Sequence, residues 1–315
     1  FAVNADETVI ARPDATTILG ATKITGKSSG WTYGGLTALT DREYAVVETA
    51  AGRRAERLIE PYTSYNVARV QKDLRAGSTI GLHSTAVMRE RDFDAYTGSV
   101  DYTFRWNQNK YQWNGQWSGT RSAINSVMTN GFGGLTNFSY NSKHVGIFGH
   151  YDYFNSTFKN SDLGFFSNRN NKTQVNVGVN LSQPDPTKYF RRLNYDAGYF
   201  TQYNGEWLLL DANYFNGVNV QFLNYWSVFV GGGQTARGYD DLDTRGGPPI
   251  IKPAGWFVDS YLGSDSRKPV RFGLNAHFNG DDAGSFNRNA GLNVTIQPGP
   301  RVQMSLSTNI TSGVD

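Results

Sequence analysis

Thr173-Gln174-Val175-Asn176-Val177-Gly178-Val179-Asn180-Leu181-Ser182 alternates without a break. Thr173, Val175, Val177, Val179 and Leu181 are apolar or β-branched, and Gln174, Asn176, Gly178, Asn180 and Ser182 fill the places between. Successive side chains of a strand point to opposite faces. This segment therefore has one apolar face and one polar, uncharged face. A soluble sandwich can turn the polar face to water; a membrane barrel can turn the apolar face to lipid and line a wet interior with the other.

Fifteen more segments read with the same period of two. The expected strands are 17–25, 31–40, 63–74, 79–89, 100–106, 111–120, 134–141, 145–154, 190–202, 207–215, 222–234, 256–263, 270–278, 290–296 and 302–310. Val100, Tyr102, Phe104 and Trp106 share one face of the fifth, opposite Asp101, Thr103 and Arg105. Tyr111, Trp113 and Trp117 share one face of the sixth, opposite Gln112, Asn114 and Gln116. The best helix candidate is Tyr44–Leu58, rich in Ala, Glu and Arg, and it falls in a loop.

Connections after odd strands are mostly short, as at Gly26–Gly30, Arg75–Ser78, Asn107–Lys110 and Pro298–Pro300. Those after even strands are often long: Asp41–Pro61, Arg121–Gly133, Asn155–Lys172 and Thr235–Gly255. Short turns at one rim and long loops at the other are the habit of outer-membrane barrels; a Greek-key sandwich has no reason to keep that parity. Aromatic side chains on the apolar faces suit interfacial girdles. The expected fold is an all-β, antiparallel up-and-down transmembrane β-barrel of about sixteen strands, read as one domain over residues 1–315.

Composition agrees with this and removes other classes. The 315 residues include no cysteine, so neither a disulfide framework nor a thiol nucleophile exists. A net charge of +3 gives no case for nucleic acid. Mean hydropathy is −0.50 and no apolar run reaches the ~20 residues of a membrane helix, but alternating barrel strands escape that measure. Phe1–Asp6 lacks a signal peptide's basic start, and Thr311–Asp315 lacks a terminal aromatic strand. Both ends read as cut, which makes the chain a piece of a longer protein.

Three stretches carry a family likeness: Arg12–Lys27 with Ala38–Glu43; Phe222-Leu223-Asn224-Tyr225-Trp226; and Asp240–Pro248 with Ser264-Asp265-Ser266-Arg267-Lys268-Pro269 downstream. Together they resemble a family of bacterial outer-membrane proteins. Its members join an N-terminal family-9-type carbohydrate-binding-like domain to a large C-terminal barrel of unknown function. The resemblance implies an outer-membrane location in a Gram-negative-type bacterium and a strand number of sixteen or more. It implies no chemistry, and the sugar-binding-like domain has no counterpart in these residues.

Candidate sites are few. Gly20…Gly26-Lys27-Ser28 has five residues between its glycines where a phosphate loop needs four, and no helix follows. Asp240, Asp241 and Asp243, with Arg245, mark a long loop: a Ca²⁺ site, a lumen constriction, or a loop locked by Arg245 pairing and a Gly246-Gly247 bend. Arg53, Arg54 and Arg57 form a basic loop cluster that could touch anionic lipopolysaccharide or an acidic solute, or simply be a solvated loop face. Asp101, Arg105, Gln112, Asn114, Gln116, Asn176 and Asn180 are the expected lumen residues, with Asp101 and Arg105 in an interstrand ion-pair network. His83, His144, His150 and His277 have no metal-ligand spacing, and no Ser/His/Asp set has local support. No cofactor beyond a Ca²⁺ ion is implied. Three functions are in play: a conduit for a solute or polymer, gated by long loops; a closed barrel anchoring a carbohydrate-binding domain at the envelope; and an outer-membrane glycan hydrolase, for which only the Asp240–Asp243 loop offers clustered carboxylates. Expected partners are outer-membrane lipid, lipopolysaccharide, glycans and other envelope proteins.

Overall fold

The computed structural model describes residues 6–163 and 169–314. Among them there is no α-helix. The strands are β1 (Glu7–Ala11), β2 (Ile18–Ser28), β3 (Trp31–Thr40), β4 (Glu43–Thr49), β5 (Arg54–Glu60), β6 (Thr63–Asp73) and β7 (Thr79–Arg89). Then come β8 (Ala95–Trp106), β9 (Tyr111–Ile124), β10 (Val127–Asn141), β11 (Val145–Phe154), β12 (Lys172–Gln183), β13 (Phe190–Asn204) and β14 (Leu209–Phe222). The last are β15 (Ser227–Thr235), β16 (Gly238–Asp240), β17 (Ile250–Lys252), β18 (Gly255–Gly263), β19 (Val270–Asp281), β20 (Phe286–Gly299) and β21 (Val302–Val314).

Sixteen of them form one sheet in chain order, β2-β3-β6-β7-β8-β9-β10-β11-β12-β13-β14-β15-β18-β19-β20-β21. Neighbours pair antiparallel from β2 through β8 and again from β12 through β21. The expected all-β, up-and-down order of sixteen strands holds, with β2 and β21 at the two ends of the order. The strands run from 9 to 15 residues, enough for the ~9–11 that a tilted strand needs to cross a bilayer.

β12 carries the alternation into its pairing. Val175 lies opposite Thr201, Val177 opposite Tyr199 and Leu181 opposite Tyr195; Gln174 meets Gln202, Asn180 meets Asp196 and Ser182 meets Asn194. Paired residues share a face, so the sheet has an apolar and a polar face. The apolar face is exposed: Leu82 is 61% exposed and Leu306 70%.

The chain folds as two compact units. The first comprises Phe1–Arg105, Trp113–Thr136 and Tyr153–Asn171; the second, Trp106–Gln112, Asn137–Asp152 and Lys172–Asp315. In the first, the apolar face carries Tyr102, Phe104 and Trp113, with Tyr102 5.5 Å from Phe104 and 5.1 Å from Trp113. Their polar tips are satisfied locally. Thr136 Oγ1 lies 2.8 Å from the Tyr102 hydroxyl and accepts Trp113 Nε1–H at 2.7 Å. In the second unit Trp106 stacks on Tyr111, 5.3 Å apart and 5° from parallel.

Two loop expectations are corrected. Tyr44–Leu58 is no helix: β4 and β5 form a hairpin, and β1 pairs with β4. The deciding feature is the alternation Ala45, Val47 against Tyr44, Val46, Glu48. Ala45 and Val47 are fully buried, which a strand satisfies and composition alone hides. Arg121–Gly133 is no long loop. β9 continues through buried Thr120 and Ser122, and β10 begins at Val127. Asn125 and Ser126, both at positive φ (50° and 62°), make the tight turn that suits a hairpin's twist. The boundary of β14 is also corrected: Trp207 belongs to the preceding turn, and the strand runs on to Phe222.

Candidate functional site

In the second unit the polar face carries aromatic rings that lie across glycines. One row of paired positions reads Gly178, Gly198, Phe215, Gly233, Phe257, Asn279 from β12 to β19. Phe148 of β11 covers the first of these glycines. Phe215 and Phe257 are 6.2 Å apart and 2° from parallel. Gly233 stands between them: a Cβ there would lie 2.8 Å from Phe257 Cε1 and 2.1 Å from the Tyr214 carbonyl oxygen. Two steps along the face, Phe229 is paired with Tyr261. Phe229 reaches across Gly231, where an added Cβ would meet Phe229 Cζ at 2.7 Å and Phe215 Cε2 at 3.1 Å.

Beyond Tyr261, itself 46% exposed, opens a cleft of ≈ 490 Å³. Its walls include Tyr261, Arg271, Asn275, Asn293, Thr295 and Gln303. Arg271 Nη2 donates to Gln297 Oε1 at 3.0 Å and to Gln303 Oε1 at 3.5 Å, while its Nε is buried without an acceptor. Asn293 Nδ2 donates to Ser307 Oγ at 2.6 Å. Asp259, on the same face between Phe257 and Tyr261, takes His277 at 2.7 Å, and the far side of that ring meets Asn279 at 3.0 Å. Two slightly larger hollows, ≈ 600 and ≈ 560 Å³, draw on apolar-face side chains such as Tyr214 and Trp256, and Val70, Leu82 and Val100.

The turns nearest this cleft are tied together. The Tyr225 ring lies under Arg267 (3.0 Å) and Arg191 (4.1 Å). Arg267 forks onto Asp265: Nε donates to Oδ1 at 2.9 Å and Nη2 to Oδ2 at 2.7 Å. Two of the stretches that carry the family likeness thus meet in one contact. The Arg267 side chain, against the opposing effect of burial, holds the Asp265 carboxyl down at about 2. A depressed carboxyl contributes stability above its unfolded value near ~4 and loses it as pH falls through the folded value. The unfolding temperature of the wild type is therefore expected to fall between pH 4 and 2. Asp265→Asn should flatten that segment of the curve; parallel curves would refute the link.

In the first unit, part of the long loop folds onto the polar face. A Cβ on Gly131 would sit 2.5 Å from Phe158 Cα, and one on Gly133 2.4 Å from Phe154 Cδ1. Phe158 is 6% exposed and 5.0 Å from Phe154. Lys159 N donates to Thr120 Oγ1 at 3.3 Å and its Nζ to the Ala123 carbonyl at 3.2 Å. Asp162 then receives Arg89 Nη2 at 3.1 Å, with Lys159 Nζ 3.5 Å away. The segment crosses β10 and β9 and is pinned at the end of β7. Thr63, Thr85, Ser99, Ser118 and Ser122, all on β6 to β9, are buried as well.

The residues singled out in the sequence do not form one site. Asp101 pairs with Arg69 at 2.8 Å, two strands away across Gly81, while Arg105 Nη1 donates to the Gly77 carbonyl at 2.7 Å. Asn180 Nδ2 donates to Asp196 at 2.8 Å, and Gln116 Nε2 to Ser99 Oγ at 3.3 Å. Gln112 and Asn114 sit on β9 and Asn176 on β12. Arg54 pairs with Glu48 at 3.1 Å, Arg57 with Glu7, and Arg53 closes the β4–β5 turn. Asp240 Oδ1 accepts the N–H groups of Leu242 (2.9 Å) and Asp243 (3.1 Å), which hold its carboxyl below the usual range. Asp241 Oδ2 accepts Asn204 Nδ2 at 3.0 Å. Asp side chains brace this loop, and Gly246 bends it at φ 103°. Among the described residues, no three His, Asp or Glu side chains cluster as a metal site would require. Of the expected loop segment 155–172, residues 164–168 lie outside the described residues.

Phe215, Phe229, Phe257 and Tyr261 are not among the residues the sequence singles out. The signal is present in Phe257-Val258-Asp259-Ser260-Tyr261, where period two puts both rings on the side of Asp259. Gly231-Gly232-Gly233, unusual inside a strand, marks a close approach.

A family profile described as "Domain of unknown function (DUF5916)" matches residues 1–314. No curated protein matches. Among solved structures, the crystal structure of Pseudomonas aeruginosa OpdQ aligns over 90% of this chain and 91% of that one, at 8% identity and a TM-score of 0.43. A likeness that weak transfers neither fold nor function.

Proposed function

The chain belongs to this family of unknown function, DUF5916, and we propose that its sheet is the wall of an outer-membrane β-barrel that conducts a solute or polymer, with the polar face as lining. The observation that carries the reading is the pairing of two faces over sixteen consecutive strands of one sheet: one apolar and exposed, one polar. Water is a poor solvent for an apolar face of this extent, and a bilayer is a good one. Every strand in that order is long enough to cross the hydrocarbon. The aromatic clusters Tyr102/Phe104/Trp113 and Trp106/Tyr111 serve as interfacial anchors.

A second reading has its own support. In the first unit the segment around Phe158 covers part of the polar face, and Thr120, which accepts the Lys159 N–H beneath it, is buried. A barrel closed in this way is an anchor, and the carbohydrate-binding-like domain expected from the resemblance would carry the function. Liposome flotation and planar-bilayer conductance of the intact parent protein separate the readings. Flotation with stable open steps is expected. Flotation without steps favours the anchor, and failure to float refutes the membrane assignment.

A further inference from the structure

We infer that the aromatic path Phe215–Phe257–Phe229–Tyr261, with the cleft lined by Arg271, Asn275, Asn293 and Gln303, is a binding track for neutral oligosaccharides. The inference deepens the conduit reading and rests on the polar face lining a passage.

Such an arrangement has a cost. An aromatic ring on a hydrated face gives up burial it could have had on the apolar side. Here several rings do so in one patch, on a face whose other side chains, such as Asn213, Asn219, Asp259 and Asn275, are polar. The glycines beneath let the rings lie across the sheet, and Gly233 and Gly231 admit no side chain without a clash. Parallel Phe215 and Phe257, 6.2 Å apart, offer extended π surface.

Sugar chemistry matches such a surface. A ring face is electron-rich and attracts weakly positive C–H groups. A pyranose presents C–H groups on its faces and hydroxyls around its edge. Asn275, Asn293 and Gln303 each carry a donor and an acceptor on one planar group, which suits vicinal hydroxyls. Arg271 adds a fixed fork of donors, already oriented by Gln297 and Gln303. The cleft volume of ≈ 490 Å³ falls within the ~300–1,000 Å³ of small-molecule sites. Most of the cleft wall is uncharged, Asn275, Asn293, Thr295 and Gln303 among it, which suits a neutral ligand, while Arg271, bonded to two neutral amides, keeps its charge as a donor.

The test uses the intact parent protein in detergent, titrated calorimetrically with maltohexaose, cellohexaose and a hexameric oligogalacturonate. Saturable binding of a neutral hexamer is expected, with the anionic one weaker. Tyr261→Ala and Phe257→Ala should each weaken it roughly tenfold, and Tyr261→Phe should restore wild-type affinity. Unboiled gel mobility shows whether each variant has folded. A variant that does not fold is replaced by Tyr261→Leu or Phe257→Leu, which keep apolar volume but remove the ring face. Binding to none of the three, preference for the anionic hexamer, or neutral binding untouched by both ring removals overturns the track. Conductance measured in parallel keeps the two readings apart: steps without sugar binding leave the conduit and remove the track, and sugar binding without steps removes the passage, and with it the track, leaving a sugar site on a closed barrel.

Discussion

Gly233→Val should cost this protein about 3 kcal/mol or more of stability, the upper end of what overpacking a filled site does. The Cβ alone would stand 2.1 Å from the Tyr214 carbonyl oxygen and 2.8 Å from Phe257 Cε1. The first contact is with backbone of the neighbouring strand, so no rotamer change relieves it. Relief requires β14 and β15 to part where Phe215 and Gly233 are paired. Branching at Cβ also pushes the Phe257 ring away from its parallel partner Phe215. Gly34→Ala is the control, because the same atom there finds only ordinary contacts at 3.7 and 3.8 Å. Gly34→Ala should match wild type within about 0.5 kcal/mol, as neutral substitutions do. The readout is the temperature at which unboiled protein loses its compact gel mobility, checked by loss of β-sheet circular dichroism. Equal temperatures for the two variants would mean that the rings do not depend on the glycine bed.

The same site shows how far the sequence can be read. All sixteen strands of the large sheet are legible, because period-two alternation is a local signal and β12 carries it without interruption. The turn after β13 is local as well: Asn204 Oδ1 accepts N–H groups from Glu206 and Leu208 within the turn itself. The β4–β5 hairpin is not. Its Ala, Glu and Arg favour a helix locally, and only the burial of Ala45 and Val47, a tertiary fact, makes it a strand pair. The aromatic track is half legible. Parity puts Phe257 and Tyr261 beside Asp259, but their meeting with Phe215 and Phe229 depends on register across three strands. Asp101 and Arg105 share a face, yet Asp101 takes its partner Arg69 from β6, which no spacing along one strand reveals. Conversely, the likeness stretches around Tyr225 and Arg267 stand out as sequence, and only their contact gives them a physical role.

Removing the Asp162 carboxylate is expected to release the segment that covers the polar face of the first unit. Asp162 is where Arg89 and Lys159 converge, at 3.1 and 3.5 Å. Side chains of Arg89 and Asp162 are only 17% and 14% exposed, so solvent screens the pair weakly. Deleting one partner of a buried pair costs about 3–5 kcal/mol, and partial exposure brings this to about 2. In Asp162→Ala the two cations also face each other without their counter-charge, which adds repulsion to the loss. The contacts that still hold the segment include Phe158 on Gly131, the Lys159 bonds to Thr120 and Ala123, and Thr157 Oγ1 donating to the Asn130 carbonyl at 2.8 Å. Those contacts lie over β9 and β10, so the end at β7 should lift first. Amide exchange at residues 156–162 should accelerate about thirtyfold, the equivalent of about 2 kcal/mol, while β12 to β14 keep their protection. Trypsin should gain a cleavage after Lys159. If the polar face lines a passage, single-channel conductance should rise in the same variant, since the segment occupies that face. Unchanged exchange and proteolysis would show that the apolar contact at Phe158 suffices without the charges. Faster exchange with unchanged conductance would place the segment away from the limiting width of the pore.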